Sequence, residues 1–330
     1  MNEPSQDPAA CAALVPPAVR RSAWPALVVG MLALVALLLP LYGSLAGHSY
    51  AVVLASRILV FALAAVGLNL ALGYGGMVSF GHAMYIGLGA YVVLICGSIG
   101  WVNGWLQLGV LLVTVVLIAA VVGWISLRTH GLAFIMITLA LAQLFYFLFV
   151  SLRAYGGDDG MSLAAPSGFG PLTGSPTALY YALLAALALA VYGTLRLVQS
   201  RFGLVLRAAR VNERRVRAVG TGPLGYQLVA YVLSALVCAL AGFFLANLAG
   251  FVSPAYMNWM VSGELIVMVV LGGVGTVFGP VVGAVALLLL EEVLKLWTEH
   301  WPIVFGPLVL LIVVALRRGL WGLLPGGREE

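Results

Sequence analysis

Long apolar runs, separated by short polar or glycine-rich interruptions, make up most of the chain. The clearest cover residues 24–42, 50–72, 77–97, 105–127, 131–151, 177–198, 226–250, 261–276, 280–297 and 302–316. Most approach the roughly 20 residues that a helix needs to cross a hydrocarbon core about 30 Å thick. None alternates apolar and polar positions with the two-residue period of a barrel strand. The pattern predicts an all-α fold, a polytopic transmembrane helical bundle of about ten helices. The segment 261–276 is short for a full crossing and Arg57 lies inside the second segment, so eight or nine helices remain the alternative. From Ile58 to Leu127 there is no Asp, Glu, Lys or Arg. As continuous helix that stretch extends about 105 Å, room for about three crossings.

Composition adds that only 8% of residues are charged and 63% hydrophobic, against about a quarter charged in soluble domains. The few basic residues then set the orientation, because Lys and Arg accumulate in cytoplasmic loops. Arg20 and Arg21 place the start of the chain in the cytoplasm. Two crossings return to the glycine-rich stretch at Leu72–Gly76, and two more reach Arg128 and His130. A further pair, across an external loop carrying Asp158 and Asp159, reaches a dense arginine cluster. Four more bring Arg317, Arg318 and Arg328 to the same side. Both termini are therefore expected in the cytoplasm, with Arg153 the one exception outside. The expected organisation is a flexible cytoplasmic arm (1–22), a transmembrane domain (23–318) containing a cytoplasmic loop (200–222), and a cytoplasmic tail (319–330). Arg20, Arg21 and the apolar run before "GSLAG" have the order of a signal peptide. The run from Ala26 to Leu41 is long for one and many spans follow, which favours an uncleaved first helix.

The arginine cluster, "SRFGLVLRAARVNERRVRAVGTGP" (Ser200–Pro223), holds six of the sixteen Lys and Arg residues. Arg207, Arg210, Arg214 and Arg217 are spaced three, four and three apart, which predicts one face of an amphipathic helix, stopped by Gly220–Pro223. Glu213 stands four before Arg217, in the order that favours a helix ion pair. Such a helix either anchors to anionic lipid heads, at about 1 kcal/mol per arginine, or docks a soluble partner. Nucleic-acid binding lacks the base-reading or stacking residues it requires.

Little points to catalysis. Lys295 is the single lysine and no Gly-Lys pair exists, so a GxxxxGK[ST] phosphate loop is excluded. Cys11, Cys96 and Cys238 lack metal or disulfide spacing, and no nucleophile–base arrangement emerges from four scattered histidines. Glu291 and Glu292 read as a solvated pair near a helix end. No catalytic, metal or cofactor residue is assigned. Gly73, Gly75 and Gly76 interrupt an apolar run, which is tolerated at membrane depth only against protein or a water-filled cavity and marks transport paths in carriers. Asn69, Ser79 and His82 beside them either line such a path or bond neighbouring helices. Glu264 opens a short apolar segment and is either interfacial or within the membrane, where a carboxylate is costly. "GGVGTVFGP" reads as a tight break between two helices.

Four blocks carry a resemblance: "AVGLNLALGYGGMVSFGHAMYIGLGAYV" (Ala65–Val92), "SRFGLVLRAARVNERRVRAVG", "GELIVMVVLGGVGTVFGPVVGA" (Gly263–Ala284) and "RRGLWGLL" (Arg317–Leu324). They resemble, in order, the permease subunits of the branched-chain amino acid ABC importer family, and the ending is more similar to the M-type (LivM-like) subunit than to the H-type. The resemblance implies an importer permease of the ten-helix type in a bacterial inner membrane. It implies a second, H-type permease subunit, two cytoplasmic ATPase subunits that use ATP, and a periplasmic solute-binding protein. The loop between the sixth and seventh helices would dock the ATPase, which assigns Arg207, Arg210, Glu213, Arg214 and Arg217 to coupling. Branched-chain amino acids are the expected solutes, with urea, short amides or aromatic acids as alternatives. A secondary transporter or channel is the rival class, and its mark would be charged pairs within the membrane.

Overall fold

The computed structural model describes residues 24–46, 49–170, 176–315 and 319–323. The expected arm 1–22, with Arg20 and Arg21, lies outside the described residues, as do Arg317, Arg318 and Arg328. Among the described residues eleven α-helices form the bundle: α1 (Trp24–Ala46), α2 (Ser49–Asn69), α3 (His82–Ser98), α4 (Gly104–Ser126), α5 (Leu132–Ser151), α6 (Pro176–Gln199), α7 (Arg201–Ala218), α8 (Pro223–Ala249), α9 (Trp259–Gly272), α10 (Gly279–Trp297) and α11 (Trp301–Ala315). Each apolar segment read from the sequence holds one of these helices, and α7 is the amphipathic addition. Among the described residues five stretches are long and apolar enough to cross a membrane: Tyr50–Tyr74, Gly104–Ser126, Leu132–Ser151, Thr177–Gln199 and Pro223–Ala249. Leu27–Pro40, α3, α9 and α11 are shorter apolar helices.

The centre of the bundle is the contact of α3 with α8. Nearly all of α3 from His82 to Leu94 is buried, as expected for a helix that is apolar on every side. Its closest approach to α8 is at Gly89, facing Ala239, and at Gly242, facing Ile86. A β-carbon at either glycine would collide with the facing carbonyl. Small residues bring the two backbones together where lipid supplies no hydrophobic drive for association. The outer faces of α4 and α5 instead expose Trp105, Val113, Leu117, Val121, Met136 and Phe147, an apolar surface suited to lipid.

The chain gathers its connections at two ends of the bundle. One end joins the breaks after α2 and α9, the α4–α5 turn, α7 and the described part of the tail. There His130 stands 3.9 Å from Glu213. At the same end Leu320 N–H donates to Leu271 O at 2.8 Å while Trp321 stacks on Phe278. Residues Gly319–Leu323 of the expected tail are thus packed onto the bundle. At the other end β1 (Met161–Ser162) pairs antiparallel with β2 (Phe251–Val252), and Gly168 exchanges main-chain hydrogen bonds with Val102 and Gly104. The segment after α5 is thereby fastened across that end, with Asp158 and Asp159 exposed on it.

Two boundaries differ from expectation. The third apolar segment begins at 77, but helix starts only at His82, because the glycine break extends through Gly81. In α7, Asn212 has φ −157° and ψ 98°, so the helix turns an elbow there. The single face carrying Arg207, Arg210, Arg214 and Arg217 does not exist as read. An Asn side chain bonds backbone in non-helical conformations and favours cap positions. The Asn212 side chain accepts from Arg215 N–H at 3.1 Å and so starts a second helical piece.

Candidate functional site: two helix breaks and an elbowed helix

The first break begins with a π-turn, Leu70–Tyr74. A helix end leaves its last carbonyls without intrahelical donors, and here three find one locally. Gly75 N–H donates to Leu70 O, Gly76 N–H to Leu72 O and Met77 N–H to Ala71 O, at 3.0–3.3 Å. The carbonyl of Gly73 takes its donor from outside, the guanidinium of Arg210 on α7. Gly76, at φ +69°, lies under the same side chain: a β-carbon there would sit 2.8 Å from Arg210 Cγ.

Asn69 fixes this break to the second one, which follows α9. Its Nδ2–H donates to Thr276 O at 2.8 Å, and its Oδ1 accepts from Gly275 N–H at 3.0 Å. Asn69 is 1% exposed, and both polar atoms of this buried amide bond main chain. Thr276 completes the second break by donating to Gly273 O and accepting from Gly279 N–H. Gly73 faces both Asn69 and Gly275 closely enough that a β-carbon would displace them.

The restart of the chain at α3 is capped by other helices. Phe80 N–H donates to Thr138 Oγ1 of α5, Gly81 N–H to Ser79 Oγ, and Ala83 N–H to Ser262 Oγ of α9. These are the donors that a helix N-terminus leaves unpaired, and in an apolar bundle each needs a partner. His82 is fully buried; its Nε2 lies 2.8 Å from Ser234 Oγ, which donates to Gly67 O. That direction makes Nε2–H the donor. Tyr85 and Tyr231 meet the His82 ring edge-on, at 5.9 and 5.4 Å between centroids. Asn69 and His82 therefore bond across to other segments of the bundle, while Ser79 caps its own turn at Gly81. Thr138, Ser234, Ser262 and Thr276 were missed by the sequence reading. Lone hydroxyl residues in apolar runs were their only signal.

On α7 the expected pair is made, Arg217 to Glu213 at 2.6 Å. Before the elbow, Gly203, Leu206 and Ala209 are buried against the bundle, and Arg207 reaches back to Val198 O at 3.5 Å. Beyond it the arginines are exposed, Arg214 among them. The five residues read as a coupling set thus divide by partner: Arg207 and the exposed Arg210 bond main-chain carbonyls of the bundle, Glu213 and Arg217 bond each other beyond the elbow, and Arg214 is exposed there.

Glu264 is not part of this assembly. It lies near the start of α9, toward the opposite end, and is exposed. The charged groups nearest in effect are Glu291, Arg57 and Lys295. Glu291 joins Arg57 at 3.3 Å and Lys295 at 2.6 Å, while Glu292 accepts from Tyr50. The reading of Glu291 and Glu292 as a solvated pair is corrected: each carboxylate is engaged, one of them by a charge on another helix. Among the described residues no group of three His, Cys, Asp or Glu is placed to hold a metal.

The assembly is thus two hydrogen-bonded helix breaks beside an elbowed basic helix. The permease protein LivM of the high-affinity branched-chain amino acid transport system of Escherichia coli K12 is 25% identical over 81% of this chain and 69% of its own length. The Salmonella typhimurium LivM is 24% identical over the same shares. The E. coli K12 LivH permease protein is 25% identical over 79% of this chain and 91% of its own. No solved structure matches. The family model described as branched-chain amino acid transport system / permease component matches residues 50–316, and the chain belongs to that family of membrane permeases.

Proposed function

We propose that this chain is one membrane-spanning subunit of an ATP-binding cassette importer for branched-chain amino acids or related small solutes. The end that carries the two breaks and α7 faces the cytoplasm, with both termini, and the loop bearing Asp158 and Asp159 faces the periplasm, where a solute-binding protein docks. An H-type permease completes the pore. Two ATPase subunits bind the outer half of α7 and supply the energy, because this chain has no phosphate loop of its own. The observation that carries the reading is the elbow at Asn212, which leaves one half of α7 packed on the bundle and presents the arginines of the other. Uptake would follow alternating access, in which ATP binding in the partners displaces α7.

Reconstitution with the partner subunits tests this. Radiolabelled leucine should enter vesicles only with ATP, both permeases and the liganded binding protein. Uphill uptake by this chain alone on a proton or sodium gradient would overturn the reading and install the secondary-transporter class. The Arg57–Glu291 pair keeps that second reading in play, since charged pairs within the bundle are its expected mark. Leucine, urea, a short amide and an aromatic acid offered in parallel identify the solute. In intact cells with the native cysteines replaced, a membrane-impermeant thiol reagent should label Asp158→Cys and leave Arg215→Cys untouched; the reverse pattern would invert the topology.

A further inference from the structure

We propose that Arg210 is the transmission contact of this permease: its bond to the Gly73 carbonyl holds α7 against both helix breaks, and its making and release pass the movement of α7 to α2 and α9. The proposal rests on the coupling role given to α7 above, but assigns Arg210 to the bundle instead of to the ATPase.

Three observations converge on that residue. The Gly73 carbonyl is not among those that the π-turn pairs locally, Leu70, Ala71 and Leu72, and Arg210 is its donor. A cation at a helix C-terminus is also favoured by the helix dipole. Second, both breaks have glycine where the side chain passes. A β-carbon at Gly76 would lie 2.8 Å from Arg210 Cγ, and one at Gly275 would lie 3.3 Å from its Nη1. Third, Asn69 clips Gly275 and Thr276 to the end of α2, so a pull at Gly73 reaches both breaks together.

The contact is also built to let go. Arg210 lies in an open groove of about 210 Å³ between α7, the first break and the α4–α5 turn. Water there can take over the guanidinium when the carbonyl is released, and among the described residues no carboxylate holds it, since Glu213 is committed to Arg217 and faces His130. Arg210 stands two residues before the elbow at Asn212. A tilt of the outer half of α7 therefore acts on Arg210 with little bundle packing in between.

The first measurement needs only this chain in its membrane. Met77 is 6% exposed and borders the groove. With Met77→Cys as reporter, Arg210→Ala should raise the rate of thiol labelling about tenfold, the scale of losing one hydrogen bond to a charged group. Gly76→Ala should do the same by crowding Arg210 out, and the double variant should label no faster than either single one. Unchanged labelling, or additive effects, would overturn the proposal whatever energy source drives transport. The second measurement uses the complete complex. Arg210→Ala should abolish binding-protein-stimulated ATP hydrolysis while the ATPase subunits still co-purify, whereas Arg214→Ala should weaken co-purification. Loss of the ATPase subunits from the Arg210→Ala complex would show that Arg210 contacts the ATPase, and would also overturn the proposal. A wild-type complex without ATP-dependent uptake would refute the importer reading alone and leave the labelling result standing.

Discussion

Arg57 and Arg210 both tie themselves to an apolar bundle from partly open positions, and they are satisfied in opposite ways. Arg57, on α2, meets a full countercharge: Glu291 at 3.3 Å, itself shared with Lys295. Arg210, on α7, meets a main-chain carbonyl at the other end of the same helix. An ion pair whose carboxylate is largely buried, as Glu291 is, resists separation, because that partner left alone is a poorly compensated charge. A guanidinium on a carbonyl beside an open groove exchanges one hydrogen-bond acceptor for water at small cost. The Arg57 end of α2 is thus suited to stay fixed, and the Arg210 end to move. α2 works as a strut anchored by charge at one end and held by a releasable bond at the other.

The comparison breaks most visibly at Asn69, which joins the movable end to the second break. Asn69→Leu keeps the volume and removes both bonds to the Gly275–Thr276 main chain, leaving a buried N–H and C=O unpaired. A loss of about 3 kcal/mol is expected from two hydrogen bonds and their orphaned groups. In detergent this should appear as a clearly lower thermal midpoint, together with faster labelling at Met77→Cys. An unaltered midpoint would mean that the two breaks are held together by packing alone.

A smaller effect is expected at the fixed end. The Arg57 and Glu291 side chains are 41% and 13% exposed, so the cost of an unpaired buried charge is partly relieved by solvent. Glu291→Gln should cost about 1–2 kcal/mol of stability. Replacing both partners, Arg57→Met with Glu291→Met, should recover most of that loss, because Lys295 near the end of α10 can extend to the interface. Equal damage from the single and double variants would show that the charges are used in transport and do more than brace α2.

These contrasts also mark how far the sequence could be read. The apolar runs carried the helices, since a span must be apolar over its whole length, and the glycines at 73–76 and 272–275 marked both breaks. What joins the breaks was not legible. Asn69 and Thr276 are 207 positions apart, Gly73 and Arg210 137, and Arg57 and Glu291 234. Helices apolar on every side give no period from which to read their neighbours. The elbow is a different failure: Asn212 was visible as a polar interruption, but a spacing of three and four continues through it on paper. Its tendency to cap outweighed that periodicity. Glu291 and Glu292 misled for a related reason, because adjacent residues on a helix point about 100° apart and here meet different partners, Arg57 and Tyr50.

The smallest expected effect separates the two halves of α7. Glu213 stands one residue past the elbow, holds Arg217 at 2.6 Å and faces His130 at 3.9 Å on the α4–α5 turn. As a helix pair four residues apart it contributes about 0.3–0.5 kcal/mol, so Glu213→Ala should leave the thermal midpoint almost unchanged. Its consequence is positional. Without Glu213 the outer half of α7 loses its polar tie to the α4–α5 turn, while the inner half keeps Arg210 on Gly73. Labelling at Met77→Cys should therefore stay slow, in contrast to Arg210→Ala, while coupling of ATP hydrolysis to uptake in the complete complex falls modestly. Fast labelling in Glu213→Ala would mean that the tie of α7 to the α4–α5 turn, and not the Arg210 bond alone, keeps the groove at Met77 closed.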